Sequence, residues 1–111
     1  MSPVTTHVLD TALGKPAAGI PVKLDLQNAD GSWTSLADCT TNKDGRVTDL
    51  VPQEKFSIGT YRLTFDTSAY PSSGAPFFPQ VVVIFVVTDA KQHYHVPILL
   101  SPFGYSTYRG S

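Results

Sequence analysis

The sequence predicts an all-β protein, a two-sheet β-sandwich of seven or eight short strands formed by one domain that spans residues 1–111. Segments of strand length are separated by clusters of Gly, Pro, Asn and Asp, the residues that favour turns. No segment repeats apolar residues at the spacing of a helix. The 111 residues are enough for a single domain with a modest core.

The individual strands are predicted from the alternation of apolar and polar residues and from the turns between them. Val22, Leu24 and Leu26 alternate with polar residues, as on a strand with one buried face. Asp30-Gly31 supplies the positive φ that a tight hairpin turn needs. The predicted strands span residues 5–10, 21–27, 33–41, 59–65, 80–88, 93–101 and 105–109. The loop over residues 66–79 is rich in proline and is predicted to hold at most one short helix.

One predicted strand is apolar on both faces. Val81–Val87 reads VVVIFVV, whereas a strand of an antiparallel sandwich normally leaves one face to solvent. Two interpretations are open: a central strand covered by the long loop, or a strand whose outer face packs against another subunit. We favour the second, and therefore expect an oligomer.

Composition excludes several classes of protein. Eight basic residues stand against nine acidic ones without a charged block, so no nucleic-acid partner is expected. Cys39 is the only cysteine, which rules out an internal disulfide. Val81–Val87 is far shorter than the roughly 20 apolar residues that span a bilayer, and no secretory signal is recognisable. We expect no membrane partner and a cytoplasmic protein, or a peroxisomal one if the source is eukaryotic.

Three histidines are predicted to point away from the core. Side chains alternate along a strand, so His93 and His95 lie opposite Tyr94 and Val96, and His7 lies opposite Val8. Histidine exchanges protons near neutral pH, which suits hydrolysis. The pair on one strand could also bind zinc, but no carboxylate or cysteine stands at a supporting spacing, and we predict no metal.

Four segments resemble the signature segments of the 5-hydroxyisourate hydrolase family, also called the transthyretin-like or transthyretin-related proteins. They are THVLD at residues 6–10, DGR at 44–46, HYHVPILLSP at 93–102 and YSTYRGS at 105–111. They occur in the family's order and cover essentially the whole chain. The terminal YRGS is the most specific, because it separates the hydrolases from the transthyretin hormone carriers.

The resemblance implies a transthyretin-type sandwich that assembles as a homotetramer, a dimer of dimers with active sites in the channel between dimers. The implied activity is hydrolysis of 5-hydroxyisourate, an intermediate of urate degradation. Its lactam ring opens to 2-oxo-4-hydroxy-4-carboxy-5-ureidoimidazoline. No metal or organic cofactor is implied.

The resemblance also assigns roles to five residues. His7 and His95 would position and deprotonate a water molecule, and His7 would also contact substrate. Arg46 would bind the ring oxygens and steady negative charge on the attacked carbonyl. Tyr108 would bind substrate. Ser111, through its hydroxyl or a terminal carboxylate, would orient a histidine or the water.

Some alternatives stay open at this point. The residues do not decide which histidine is the base, and His93 is given only a supporting role. A transthyretin-like carrier that binds a small aromatic ligand without chemistry is the main alternative function. A structural or adhesive sandwich module is the third, although such modules are often disulfide-bonded and this chain has no cysteine pair.

Overall fold

A computed structural model describes residues 2–70 and 77–111, and these residues form nine β-strands and two short 3₁₀ turns. The strands are β1 (Val4–Asp10), β2 (Lys15–Pro16), β3 (Pro21–Gln27), β4 (Trp33–Thr40), β5 (Arg46–Val47), β6 (Gly59–Phe65), β7 (Val81–Val87), β8 (Tyr94–Ser101) and β9 (Gly104–Thr107). The 3₁₀ turns are Gln53–Lys55 and Thr67–Ala69. Within these described residues, no helix is long and apolar enough to cross a membrane.

The strands form two sheets that face each other. The first sheet has the order β2-β1-β8-β9, with β5 also paired to β1, and the second has the order β4-β3-β6-β7. β1 runs parallel to β8, while the other pairs are antiparallel. Val8 and Ile98 from the first sheet and Leu24 and Leu63 from the second are almost fully buried between them. Each such side chain contributes about 1.5–3 kcal/mol through burial, so the apolar alternation decides which face of each strand turns inward.

The predicted sandwich is confirmed, and each of the seven predicted strands lies within two residues of an observed one. β2 and β5 were not predicted, because a two-residue strand is too short to show alternation. The short helix expected between residues 66 and 79 is the turn Thr67–Ala69, and Gln53–Lys55 is an additional turn outside that loop. Residues 71–76 of the predicted loop lie outside the described residues.

β7 is an edge strand and not a central one. It pairs with β6 on one side only. Val81 and Val87 are buried at its ends, whereas Val82, Ile84 and Val86 are exposed on its outer face. The interpretation of a covered central strand is therefore wrong for the described residues. An unpaired apolar edge is a template for pairing with another chain.

We predict that the charge substitution Ile84→Lys weakens self-association. If β7 pairs with the β7 of a second copy, exposed side chains of the two strands face each other, and like charges there are destabilising. Ile58→Lys is the matched control, because Ile58 is 66% exposed and Ile84 58%, but Ile58 lies outside the strands. Sedimentation velocity is expected to show smaller species for Ile84→Lys only. A wild-type protein that is monomeric at micromolar concentration would contradict the prediction.

Candidate active site

The register between β1 and its neighbours collects polar side chains on the outer face of the first sheet. Thr5 pairs with His95 and His7 with Pro97 along the parallel ladder, and His7 also pairs with Arg46 of β5. Val8 faces the core, with 1% of its surface exposed. Thr5, His7 and His95 therefore point away from the core, because side chains alternate along each strand. The predicted orientation of His7 and His95 is confirmed.

Gly45 brings Arg46 to its place opposite His7. The backbone of Gly45 has a φ of +72°, which glycine adopts without strain. A Cβ atom at this position would lie 2.5 Å from the carbonyl oxygen of Val8. The Val8 N–H donates to the Gly45 carbonyl over 2.8 Å. Glycine thus lets the turn lie directly against β1.

Thr5 connects two of the histidines. Its hydroxyl oxygen lies 2.7 Å from Nδ1 of His95 and 3.1 Å from Nε2 of His93. Only 2% of the Thr5 surface is exposed. The rings of His93 and His95 are close to parallel, with their centres 6.4 Å apart. The histidine pair therefore has a defined orientation, with the threonine hydroxyl between its two members.

The C-terminal segment is held against β8 by three kinds of contact. The Gly110 N–H donates to the His95 carbonyl over 2.8 Å, which continues the pairing of β9 with β8. The guanidinium of Arg109 lies 4.4 Å from the centre of the Tyr94 ring, a cation–π contact. Arg109 also donates to the Gln92 side chain and, over 3.3 Å, to the His93 carbonyl. These contacts bring Ser111 beside the histidines.

A cavity of about 320 Å³ lies among these groups, a volume within the range of small-ligand sites. Its lining consists of Thr5, Thr6, Arg46, Thr48, His93, His95 and Ser111. Three of the five residues expected in a site, Arg46, His95 and Ser111, are thus brought together. His7 stands beside Arg46 and outside this lining, and Tyr108 also lies outside it, 57% exposed.

Three threonines of the lining were missed by the sequence reasoning. Strand parity could have found Thr5, because it lies two residues before His7 on the same predicted strand. Residues separated by two positions share a face. A threonine in a sequence does not by itself indicate a functional site. Its role becomes visible only when the side chains around it are known.

The surroundings of His95 and His7 favour the neutral forms of these two side chains. Burial lowers the pKa of His95 below its usual value, and charge repulsion from the neighbouring His93, Arg46 and His7 lowers it further, while a hydrogen bond to the Thr5 backbone acts in the opposite direction. Burial also lowers the pKa of His7, with Arg46 as the second cause. A histidine with a lowered pKa is unprotonated at pH 7 and can accept a proton. No three His, Cys, Asp or Glu side chains of the described residues are grouped to hold a metal ion.

A neutral imidazole beside a fixed guanidinium, around a small cavity, is an arrangement for acid–base chemistry on a small polar molecule. The chain is therefore a two-sheet β-sandwich that carries a cavity with groups suited to acid–base chemistry on the outer face of one sheet. The chain belongs to the HIUase/Transthyretin family, whose model matches residues 4–110. The predicted family is confirmed.

Individual relatives agree with this assignment. The chain is 48% identical to a 5-hydroxyisourate hydrolase of Caulobacter vibrioides, with all of both chains covered. It is 46% identical to a 5-hydroxyisourate hydrolase of Mus musculus, over 99% of this chain and 96% of the relative. Among solved structures, sea bream transthyretin in complex with thyroxine superposes with a TM-score of 0.91 at 34% identity, covering 97% of this chain and 94% of that one.

We predict that Gly110→Ala reduces activity by displacing either the ring of His95 or the terminal segment. A Cβ atom at residue 110 would lie 2.6 Å from Cδ2 of His95, closer than unbonded carbon atoms approach. Gly104→Ala is the matched control, because its Cβ would meet only the Ser101 hydroxyl, at 3.6 Å. Steady-state rates and melting temperatures of both variants test this. Equal rates for the two variants would contradict the packing role of Gly110.

Proposed function

We propose that this protein hydrolyses 5-hydroxyisourate, opening its lactam ring to give 2-oxo-4-hydroxy-4-carboxy-5-ureidoimidazoline. The observation that carries the proposal is the convergence of Arg46, Ser111 and His95, whose pKa is lowered, on one cavity. The identity of 46–48% to two hydrolases of this name supports it. The expected activity is that of a cyclic amide hydrolase in purine catabolism.

The proposed reaction begins with a water molecule between the substrate carbonyl and His95. The imidazole takes one proton from the water while the hydroxide oxygen bonds to the carbonyl carbon. Negative charge then develops on the carbonyl oxygen, where the guanidinium of Arg46 stabilises it. As the carbon–nitrogen bond breaks, the imidazolium returns the proton to the leaving nitrogen. The carboxylic acid so formed loses the second proton of the water to solvent.

The remaining residues are proposed to bind and orient. His7 lies beside Arg46 on the same face and is proposed to position the water or the substrate. Ser111 lines the cavity and is proposed to orient a histidine or the water, through its hydroxyl or a terminal carboxylate. Tyr108 is more than half exposed, and its proposed contact with substrate depends on a neighbouring subunit to enclose it.

The carrier alternative has less support. The relatives of highest identity reported above are named hydrolases, whereas the thyroxine-bound transthyretin is only 34% identical. Two histidines and an arginine line the cavity of this chain, and these side chains favour a polar substrate with exchangeable protons. We therefore retain the enzyme as the proposed function.

Assembly is part of the proposal. We propose a homotetramer, a dimer of dimers, in which a second copy covers the outer face of the first sheet. That face carries the cavity, and a single chain leaves it partly open to solvent. Closure by a partner would exclude water, which strengthens the electrostatic contacts within the site. A cytoplasmic location stays a prediction.

We predict that His95→Asn lowers turnover by about 100-fold or more, the usual loss when a general base is removed. The decay of ultraviolet absorbance of freshly generated 5-hydroxyisourate measures the rate, compared with the decay in buffer alone. Thermal melting and sedimentation of the variant should match the wild type, which separates loss of chemistry from loss of structure. Full activity of His95→Asn would refute the assignment of the base.

We predict that Arg46→Gln moves the acidic limb of the kcat/KM profile to higher pH. The Arg46 cation disfavours a second positive charge and lowers the pKa of both His95 and His7. Without it their pKa values rise towards the ordinary value, and the basic form is lost at a higher pH as acid is added. Arg46→Lys keeps the charge and serves as the control. An unmoved limb in Arg46→Gln would show that the arginine does not tune the titrating histidine.

A further inference from the structure

The hydroxyl of Thr5 lies between ring nitrogens of two histidines. It contacts Nδ1 of His95 at 2.7 Å and Nε2 of His93 at 3.1 Å. A hydroxyl has one hydrogen to donate and can also accept, so it can donate to only one of the two rings. If both contacts are hydrogen bonds, the other ring must donate its own N–H to the oxygen. The position of the proton on one ring therefore constrains the other.

Two placements of the hydrogen atoms satisfy both contacts of the Thr5 hydroxyl, which in each case accepts one hydrogen bond and donates the other. In the first, Nδ1–H of His95 donates to Thr5 and the hydroxyl donates to His93, which leaves Nε2 of His95 with a free lone pair. In the second, His93 donates to Thr5, the hydroxyl donates to Nδ1 of His95, and Nε2 of a neutral His95 carries the hydrogen. Only the first arrangement makes the Nε2 of His95 a proton acceptor.

The surroundings favour the first arrangement. Arg46 lines the same cavity as His95 and contributes to its lowered pKa. A nearby cation attracts a lone pair and repels an N–H dipole. The contact of His95 with the Thr5 hydroxyl uses Nδ1, which leaves Nε2 as the nitrogen that can bond to a water molecule. His93 is exposed at the other end of the pair, where solvent can bond to its second nitrogen.

We propose that Thr5 is the positioning residue that makes His95, rather than His7, the base of the proposed reaction, by accepting Nδ1–H and holding Nε2 unprotonated towards the cavity. This inference rests on the proposed function and names the base that the sequence left open. Thr5 does not touch the reacting atoms. It acts through the tautomer and ring orientation of His95, the task that the third group performs for a catalytic histidine in other hydrolases.

The kinetic test compares two substitutions at Thr5. Thr5→Val keeps the shape and removes the hydroxyl, and it is expected to lower kcat by about 10–100-fold, part of the usual worth of a general base, with KM changed by less than about threefold. Thr5→Ser keeps a hydroxyl and is expected to restore most of the rate. A valine variant with the kcat of the wild type, or a serine variant as slow as valine, would overturn the proposal.

The spectroscopic test needs no substrate. In protein labelled with ¹⁵N-histidine at pH 8, above the lowered pKa, His95 is expected to show a protonated Nδ1 and an unprotonated Nε2. Thr5→Val is expected to shift this balance towards Nε2–H, and Thr5→Ser to leave it unchanged. If Thr5→Val does not fold, the wild-type spectrum decides alone: a hydrogen on Nε2 overturns the proposal.

The two tests separate this inference from the proposed function. In one outcome the wild type does not accelerate ring opening, His95 carries its hydrogen on Nδ1, and Thr5→Val loses this tautomer. The proposed reaction then fails, but the positioning role of Thr5 stands. If the wild type opens the ring while the tautomer and kcat are unaffected by Thr5→Val, the function stands and Thr5 is not the positioning residue.

Discussion

The parallel pairing of β1 with β8 is the interaction on which the site depends. It joins the two ends of the chain and sets Thr5 against His95. Arg46 reaches the site from the β5 side of β1, and Ser111 reaches it from the β9 side of β8. A register shift of one residue would turn His95 towards the core. Burial of the apolar face on both strands opposes such a shift, so core packing and site geometry are set together.

Much of the fold could be predicted because the apolar alternation is strong. Side-chain parity predicts the inward face of β3 and the orientation of the histidines opposite Val8 and Tyr94. Side-chain parity predicts which face of a strand is buried, but not which strands lie beside it. Parity therefore leaves two environments open for β7. The strand that carries Arg46 has only two residues, too few to show alternation.

Less of the candidate site could be predicted from local sequence patterns. The roles of Arg46 and Ser111 came from the family resemblance, since an arginine after a turn and a terminal serine have no distinctive pattern of their own. The reason for the glycine in YRGS is visible only in three dimensions, where Gly110 lies against the ring of His95. The stacking of Arg109 on Tyr94 could not be predicted from the sequence either, because it depends on how the C-terminal segment pairs with β8.

Ring opening of freshly generated 5-hydroxyisourate by the wild-type protein in ¹⁸O-labelled water, followed by mass spectrometry, tests the proposed hydrolysis. We expect a rate proportional to protein concentration and a product that gains one water, with one labelled oxygen in its new carboxylate. Decay at the rate of buffer alone, while the substrate or an aromatic ligand binds tightly, would contradict it.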